Sequence, residues 1–238
     1  MKLECSSYTN VGGRSRNEDA LCVESTKEGV LLAVADGVGG YRGGEIASGM
    51  AMNVLKQEFH QKPLTFDLSQ AIRQANLQIL EQQKKTGLQM KTTVSAAWIQ
   101  RETTVFAHVG DSRIYAFHNG EIAFQTVDHS ASQLAVFLGE ITPSEIREHP
   151  DRNVLTRTLG VSQNLKIDTA VMDNRQYDAL LLCTDGFWEY VWEEEMVRYL
   201  RSSQTASSWI SKMREAMAGR VKKGQDNNSA ITMVKRGE

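Results

Sequence analysis

The sequence predicts an α+β layered domain, a β-sheet core covered by helices. Three observations predict it. Short apolar runs rich in β-branched residues recur along the chain, as buried strands do. Segments with helical periodicity come as one pair early and another pair late. Several strand runs follow one another across tight turns, which favours antiparallel pairing.

The first strand is Val30–Ala35, within the apolar run Gly29-Val-Leu-Leu-Ala-Val-Ala35. Two helices follow. In Glu45–Phe59 the residues Ile46, Met50, Val54 and Phe59 fall roughly along one side. In Asp67–Gln83 the residues Leu68, Ile72, Ala75 and Ile79 do so, and Asp67 can cap the first free amides. Strands are expected at Thr92–Ile99, Val105–Val109 and Arg113–Phe117. Asn119-Gly120 then joins Arg113–Phe117 to Glu121–Val127, because Asn-Gly tolerates the positive φ angles of a type I′ turn. Ala179–Thr184 is another buried strand, Glu193–Arg201 and Ala206–Ala218 are helices, and Ser229–Val234 closes the core. There is no repeat, low-complexity tract or linker, so residues 1–238 are expected to form a single domain.

At 238 residues the chain can bury a substantial core without disulfides or structural metal. A net charge of −2 gives no global attraction to nucleic acid or to an anionic membrane. The three cysteines, Cys5, Cys22 and Cys183, are odd in number and lack CxxC spacing. That argues against a disulfide framework or a cysteine zinc site and fits a reducing cytoplasm. The opening MKLECSSYTN lacks the apolar stretch of a signal peptide, and no apolar run is long enough to span a bilayer.

Acidic residues at strand ends carry the chemistry. They stand in Arg14-Ser-Arg-Asn-Glu18-Asp19, in Ala35-Asp36-Gly37-Val-Gly-Gly40, in Gly110-Asp111-Ser112-Arg113, in Cys183-Thr-Asp185-Gly186 and in Asp226-Asn-Asn-Ser229. Any one of these alone is ordinarily a turn, a loop or a solvated face. Together they place carboxylates at the lips of buried strands, which are rigid enough to hold metal ligands. Glycine after the aspartate is expected to let the backbone turn sharply there. Clustered carboxylates repel unless a cation lies among them, and carboxylate, carbonyl and water ligands suit Mg²⁺ or Mn²⁺ rather than zinc. The five histidines show no metal-ligand spacing. The segment Gly37–Gly44 lacks Gly-Lys-Ser/Thr and has Arg42 where a dinucleotide loop needs glycine. No GxSxG elbow is present, and no cysteine loop followed by arginine.

These residues resemble, through nearly the whole chain and in the same order, the protein phosphatase 2C or metal-dependent protein phosphatase (PPM) family. Arg14–Ala20 resembles its RxxNED motif and Val34–Gly40 its ADGxGG motif. Thr92-Thr93 and Val109–Arg113 match its central strands, and Leu182–Gly186 with Asp226-Asn-Asn its closing metal motifs. Ile141-Thr-Pro, His149-Pro and Asn153–Arg157 resemble the flap region of bacterial members. The resemblance implies an αββα sandwich of two antiparallel sheets flanked by helices. It implies two bound Mn²⁺ or Mg²⁺ ions and a weaker third. Asp36 would bridge both main ions, the Gly37 carbonyl would bind one, and Asp185 and Asp226 the other, with Asp111 at the third. Glu18 would orient water, Asp19 would support it from behind, and Arg14 would hold the substrate phosphate through a charge-assisted contact. Arg16 is read as a solvated or structural charge.

The implied activity is hydrolysis of protein phosphoserine or phosphothreonine by a metal-activated water, reversing a bacterial Ser/Thr kinase. The partner is then a phosphorylated protein, the kinase itself or its target. Some relatives carry a histidine after the Asp-Gly as proton donor; here Val38 stands there, which leaves that role to water. His129 is read as structural or surface. Asp185–Val191 resembles phosphatases encoded with type VI secretion systems, although Phe187 and Trp188 read equally as core. The alternative is a catalytically inactive member that binds phosphoproteins or a regulator. Loss of metal carboxylates would mark it, and Asp36, Asp185 and Asp226 are all present.

Overall fold

The computed structural model describes residues 2–38, 43–221 and 224–236. Two antiparallel sheets pack face to face, with helices outside each. The first sheet runs, from edge to edge, β1 (Lys2–Asn10), β11 (Asn228–Arg236), β10 (Ala179–Cys183), β7 (Arg113–His118) and β8 (Glu121–Gln125). The second runs β2 (Asp19–Thr26), β3 (Gly29–Val38), β5 (Val94–Ile99), β6 (Thr103–Val109) and β9 (Asp168–Asp173). A two-residue strand, β4 (Lys91–Thr92), pairs with the far end of β3.

The sandwich follows from which side chains alternate. Leu32, Val34, Ala97 and Phe106 of the second sheet meet Ile114, Leu180, Leu182 and Ile231 of the first in the central layer. Leu31, Ala33 and Ala35 point the other way, against α1 (Gly43–Gln61) and α2 (Leu68–Thr86). Leu181 and Cys183 likewise face away from the centre, toward α5 (Glu193–Arg201) and α6 (Ala206–Ala218). Strands β3 and β10 are therefore covered on both faces, which is why they read as continuous apolar runs. A leucine buried completely, as Leu32 is, contributes about 2 kcal/mol.

Helices α5 and α6 lie where the periodicity put them, and Asp67 caps α2 by accepting from the Gln70 amide at 2.9 Å. The Asn119-Gly120 turn has φ of 52° and 75°, as its type requires. The buried face of α1 differs from expectation. Ala47, Ala51, Val54, Leu55 and Phe59 are buried, whereas Ile46 is exposed and Met50 half-buried. Small alanines let the helix approach β3 closely, and that outweighed the larger side chains at the expected positions.

Strands β1, β2 and β9 and the short helix α3 (Ala131–Phe137) have no counterpart in the apolar pattern. Between β8 and β9 a long segment carries α3 and a 3₁₀ turn at Pro143–Glu148. It is tied down by Arg147, which donates to the Trp188 carbonyl and to Glu193, and by Arg152, which donates to Glu189 at 2.7 Å.

Candidate active site

Antiparallel pairing gathers the acidic residues at one end of the sandwich. Asp19 at the start of β2 lies opposite Asp36 near the end of β3. Arg113 opens β7 opposite Cys183, which closes β10, and Ala230 near the start of β11 lies on the other side of Cys183. Five separate chain segments thus deliver carboxylates to a cleft of about 620 Å³. Arg14, Glu18, Asp36, Gly37, Asp111, Asp185 and Asp226, all predicted from sequence, line it together. Asp19 does not line it. It lies beneath, accepting from Thr184 Oγ1 at 2.9 Å. Gly39, Gly40 and Arg42 of the glycine-rich segment fall outside the described residues.

The glycines after the aspartates do a different job from the one expected. Gly37 continues β3, paired with Thr92, and neither Gly37 nor Gly186 has a positive φ. What they permit is close backbone approach. A Cβ on Gly37 would lie 2.3 Å from the Gly44 carbonyl carbon, and one on Gly186 would lie 2.1 Å from the Asn227 carbonyl oxygen. The helix start at Gly44 and the loop at Asn227 can therefore close on the aspartates.

Buried polar side chains fix this frame. Thr92 Oγ1 and the Thr93 amide both donate to the Asp36 carbonyl at 2.8 Å, and Thr93 Oγ1 accepts the Asp36 amide at 2.9 Å. Ser48 Oγ donates to the Glu18 carbonyl at 2.5 Å. Asn227 is the staple of the opposite wall. Its Oδ1 accepts the Glu18 amide at 2.8 Å, and its Nδ2 donates to the carbonyls of Val11 and Arg16. The motifs that contain Asn227, Thr93 and Thr184 are legible in the sequence, but the role of these three side chains is not. Taken by itself, an asparagine or threonine beside a strand-end aspartate resembles an ordinary loop.

The electrostatics of the cleft favour a cation. Burial, then repulsion from Asp185 and Asp19, pushes the Asp36 carboxyl well above the ordinary range. Burial and Asp185 do the same to Asp111. Burial, then Glu189 and Asp226, raises Asp185 to about 7. Asp19 is also raised to about 7, chiefly by burial, although Ser229 and Thr184 oppose the shift. Glu18 is raised by burial and by Asp226. One carboxylate oxygen each of Asp19 and Asp111 is buried without a partner. Such a set is costly unless positive charge lies among it. Among the described residues no three acidic, histidine or cysteine side chains converge as a ready-made chelating cluster. The carboxylates line one cleft, a donor set that fits Mg²⁺ or Mn²⁺, which keep several waters and take few protein ligands each. Among the described residues, the cationic group paired with a predicted metal ligand is Arg14, whose Nη2 donates to Asp226 Oδ2 at 2.7 Å. Arg16, read as a structural charge, lines the cleft and pairs with Glu45 at 3.3 Å.

Phe187 and Trp188, in the short helix α4 (Asp185–Trp188), are buried under the cleft floor. Trp188 Nε1 donates to the Asp111 carbonyl at 3.0 Å, and its ring stacks under the Arg113 guanidinium at 3.4 Å. These aromatics are core residues and offer no surface to a partner.

Residues 9–223 match the family model described as protein phosphatase 2C. The chain is 36% identical over 204 residues to the serine/threonine phosphatase stp of Listeria monocytogenes serotype 4b, across 82% of this chain and 81% of that protein. The crystal structure of the serine/threonine phosphatase Stp1 from Staphylococcus aureus superposes with a TM-score of 0.89 at 30% identity, across 100% of this chain and 96% of that one. The catalytic domain of the serine threonine protein phosphatase PstP, solved in complex with 2 manganese ions, superposes with a TM-score of 0.81 at 28% identity, across 98% and 97% of the two chains.

Proposed function

The chain belongs to the protein phosphatase 2C family, and from that premise we propose that it is a serine/threonine phosphatase acting on phosphorylated proteins with divalent cations in its acidic cleft. The observation that carries this reading is the meeting of Asp36, Asp111, Asp185 and Asp226, from four distant segments, around one cleft where burial and mutual repulsion disfavour the charge of Asp36, Asp111 and Asp185. Asp36, the Gly37 carbonyl, Asp185 and Asp226 would hold two ions, Mn²⁺ or Mg²⁺, and Asp111 a weaker third. Bound ions supply Lewis acidity, lowering the pKa of water and offsetting charge on the phosphate oxygens.

The chain's own residues do the rest. Glu18 orients the attacking water, its main chain held on both sides by Ser48 and Asn227. Asp19 supports Asp36 across the β2–β3 pair. Arg14 stands at the rim with its side chain half exposed. Asp226 engages one guanidinium nitrogen, and the remaining N–H groups are available to a phosphate's oxygens. Val38 has no ionisable group to give a proton, and the leaving alkoxide takes its proton from water. The expected partner is a Ser/Thr kinase or its target, in the cytoplasm. That location is supported by three unpaired cysteines.

The test is hydrolysis of a phosphothreonine peptide with Mn²⁺, with and without chelator, beside Asp36→Asn. Turnover that requires the metal and is lost in Asp36→Asn supports the reading. Turnover indifferent to chelator, or full activity in Asp36→Asn, overturns it. A folded wild type that binds the phosphopeptide and never hydrolyses it would instead favour the binding-module alternative.

A further inference from the structure

We infer that His129 is a positioning residue for Asp111: its neutral imidazole accepts the Gly110 amide and so holds the turn that carries Asp111 in the cleft wall. The inference rests on the proposed role of Asp111 as a metal residue.

His129 takes up both polar groups of Gly110. Gly110 N donates to His129 Nδ1 at 2.9 Å, and His129 N donates back to the Gly110 carbonyl at 2.8 Å. Because Nδ1 accepts, the ring proton sits on Nε2, which donates to Asp168 Oδ2 at 3.2 Å. Arg157 Nη1 also comes within 2.9 Å of Nε2, but both are donors, and Asp168 accepts from each, taking Arg157 at 2.6 Å. The ring is buried and stacks on His108 with centroids 4.5 Å apart. Burial, then repulsion from His108, pushes His129 down to about 4, so the accepting tautomer holds throughout the neutral range.

The preceding residue grips the other flank of the same turn. Asp128 accepts from Arg113 Nε and Nη2 at 2.9 and 2.8 Å, deep in the protein. Asp128 and His129 therefore bracket Gly110-Asp111-Ser112-Arg113 from both ends. The bracket has a physical reason. Asp111 Oδ1 has no partner of its own, and Asp185 repels the carboxylate. Among the described residues no side chain donates a hydrogen bond to this carboxylate; its placement comes from the backbone on either side. Groups that orient a metal-binding residue in this way typically change metal affinity about 10- to 100-fold when removed.

The full chain is titrated with Mn²⁺, bound metal being read directly by calorimetry, for wild type, Asp111→Asn, His129→Phe and His129→Asn. Phenylalanine keeps the stacked ring but has no acceptor. Asparagine carries an oxygen that can accept the Gly110 amide but cannot reach Asp168. The weakest class of Mn²⁺ sites is expected to lose about 10-fold in affinity in His129→Phe and to stay within about threefold of wild type in His129→Asn. The Mn²⁺ concentration for half-maximal hydrolysis should shift in parallel while KM for the phosphopeptide stays put. Equal behaviour of the two His129 variants overturns the inference. If His129→Phe does not fold, His129→Asn decides: wild-type binding supports the role, weakened binding removes it. Wild-type binding in Asp111→Asn takes down the metal role of Asp111 and this inference with it. An impaired Asp111→Asn beside an unimpaired His129→Phe takes down the inference alone.

Discussion

Arg14 Nη2 lies 2.7 Å from Asp226 Oδ2, so the residue proposed to hold substrate phosphate is paired with one proposed to hold metal. Both side chains are substantially exposed, and such a pair contributes about 0–1 kcal/mol. A charge-assisted contact to a bound phosphate is worth more, about 1.5–3 kcal/mol. Arg14→Ala should therefore raise KM for a phosphothreonine peptide about 10-fold or more. The Mn²⁺ concentration for half-maximal activity should move less than about fivefold. Steady-state kinetics over a grid of peptide and Mn²⁺ concentrations separates the two effects, and an unchanged KM would remove Arg14 from the phosphate site.

The acidic cleft should make the chelated protein less stable at neutral than at mildly acid pH. Asp185 and Asp19 are held near 7 in the fold, above the ordinary carboxylate range. Between those limits the native state binds more protons than the unfolded chain, so stability falls as pH rises through the window. Melting in EDTA should give a higher Tm at pH 5.5 than at pH 7.5. Asp36→Asn, which removes one repelling charge, should melt above wild type in EDTA and gain less from added Mn²⁺. A Tm that rises with pH across this range would contradict the crowding of unpaired charge described for the cleft.

What the sequence disclosed and what it withheld divide along a physical line. Strands β3, β10 and the core of β11 are covered on both faces and announced themselves as apolar runs. Strands β1, β2 and β9 are edges of their sheets, and their residues are mostly half-buried or exposed. Their pairing is made by main chain, which leaves little mark on side-chain pattern. The edge strand β8 was legible only because Asn119-Gly120 marks its hairpin. At the site the carboxylates were legible because several of them recur at the ends of strands in one chain, a combination that isolated turns do not produce. The polar frame was not, because Asn227 and Thr93 act through long-range hydrogen bonds to Glu18 and Asp36 that no local spacing encodes.

The Arg113–Asp128 pair is buried and bidentate, and Arg113 also stacks on Trp188. Removing the Asp128 charge leaves buried Arg113 with its longer ionic contact to Glu193 at 3.4 Å, and losing one partner of a buried pair costs about 3–5 kcal/mol. Asp128→Asn should therefore lower the melting temperature by about 10 °C, given about 2–4 °C per kcal/mol for a chain of this size. Differential scanning calorimetry in saturating Mn²⁺ measures it. A loss below about 2 °C would mean that the pair contributes little beyond the packing of its neighbours.

Two glycine-to-alanine changes should act in opposite directions. At Gly49, inside α1, an added Cβ meets nothing within 4 Å. There Gly49→Ala should raise stability by about 0.5–1 kcal/mol through helix propensity and a less flexible unfolded chain, with activity unchanged. At Gly186 the Cβ would lie 2.1 Å from the Asn227 carbonyl oxygen and 3.3 Å from Asp226 Cβ. The obstacle is backbone, so the Asp226-Asn227 loop must move. That loop carries a proposed metal ligand and also holds Glu18 through the Asn227 side chain. Gly186→Ala should therefore weaken Mn²⁺ binding and reduce kcat by more than its loss of stability accounts for. Binding titrations at a temperature well below both melting points isolate that effect. Wild-type Mn²⁺ affinity in a folded Gly186→Ala protein would show that the close approach of the two loops is dispensable to the site.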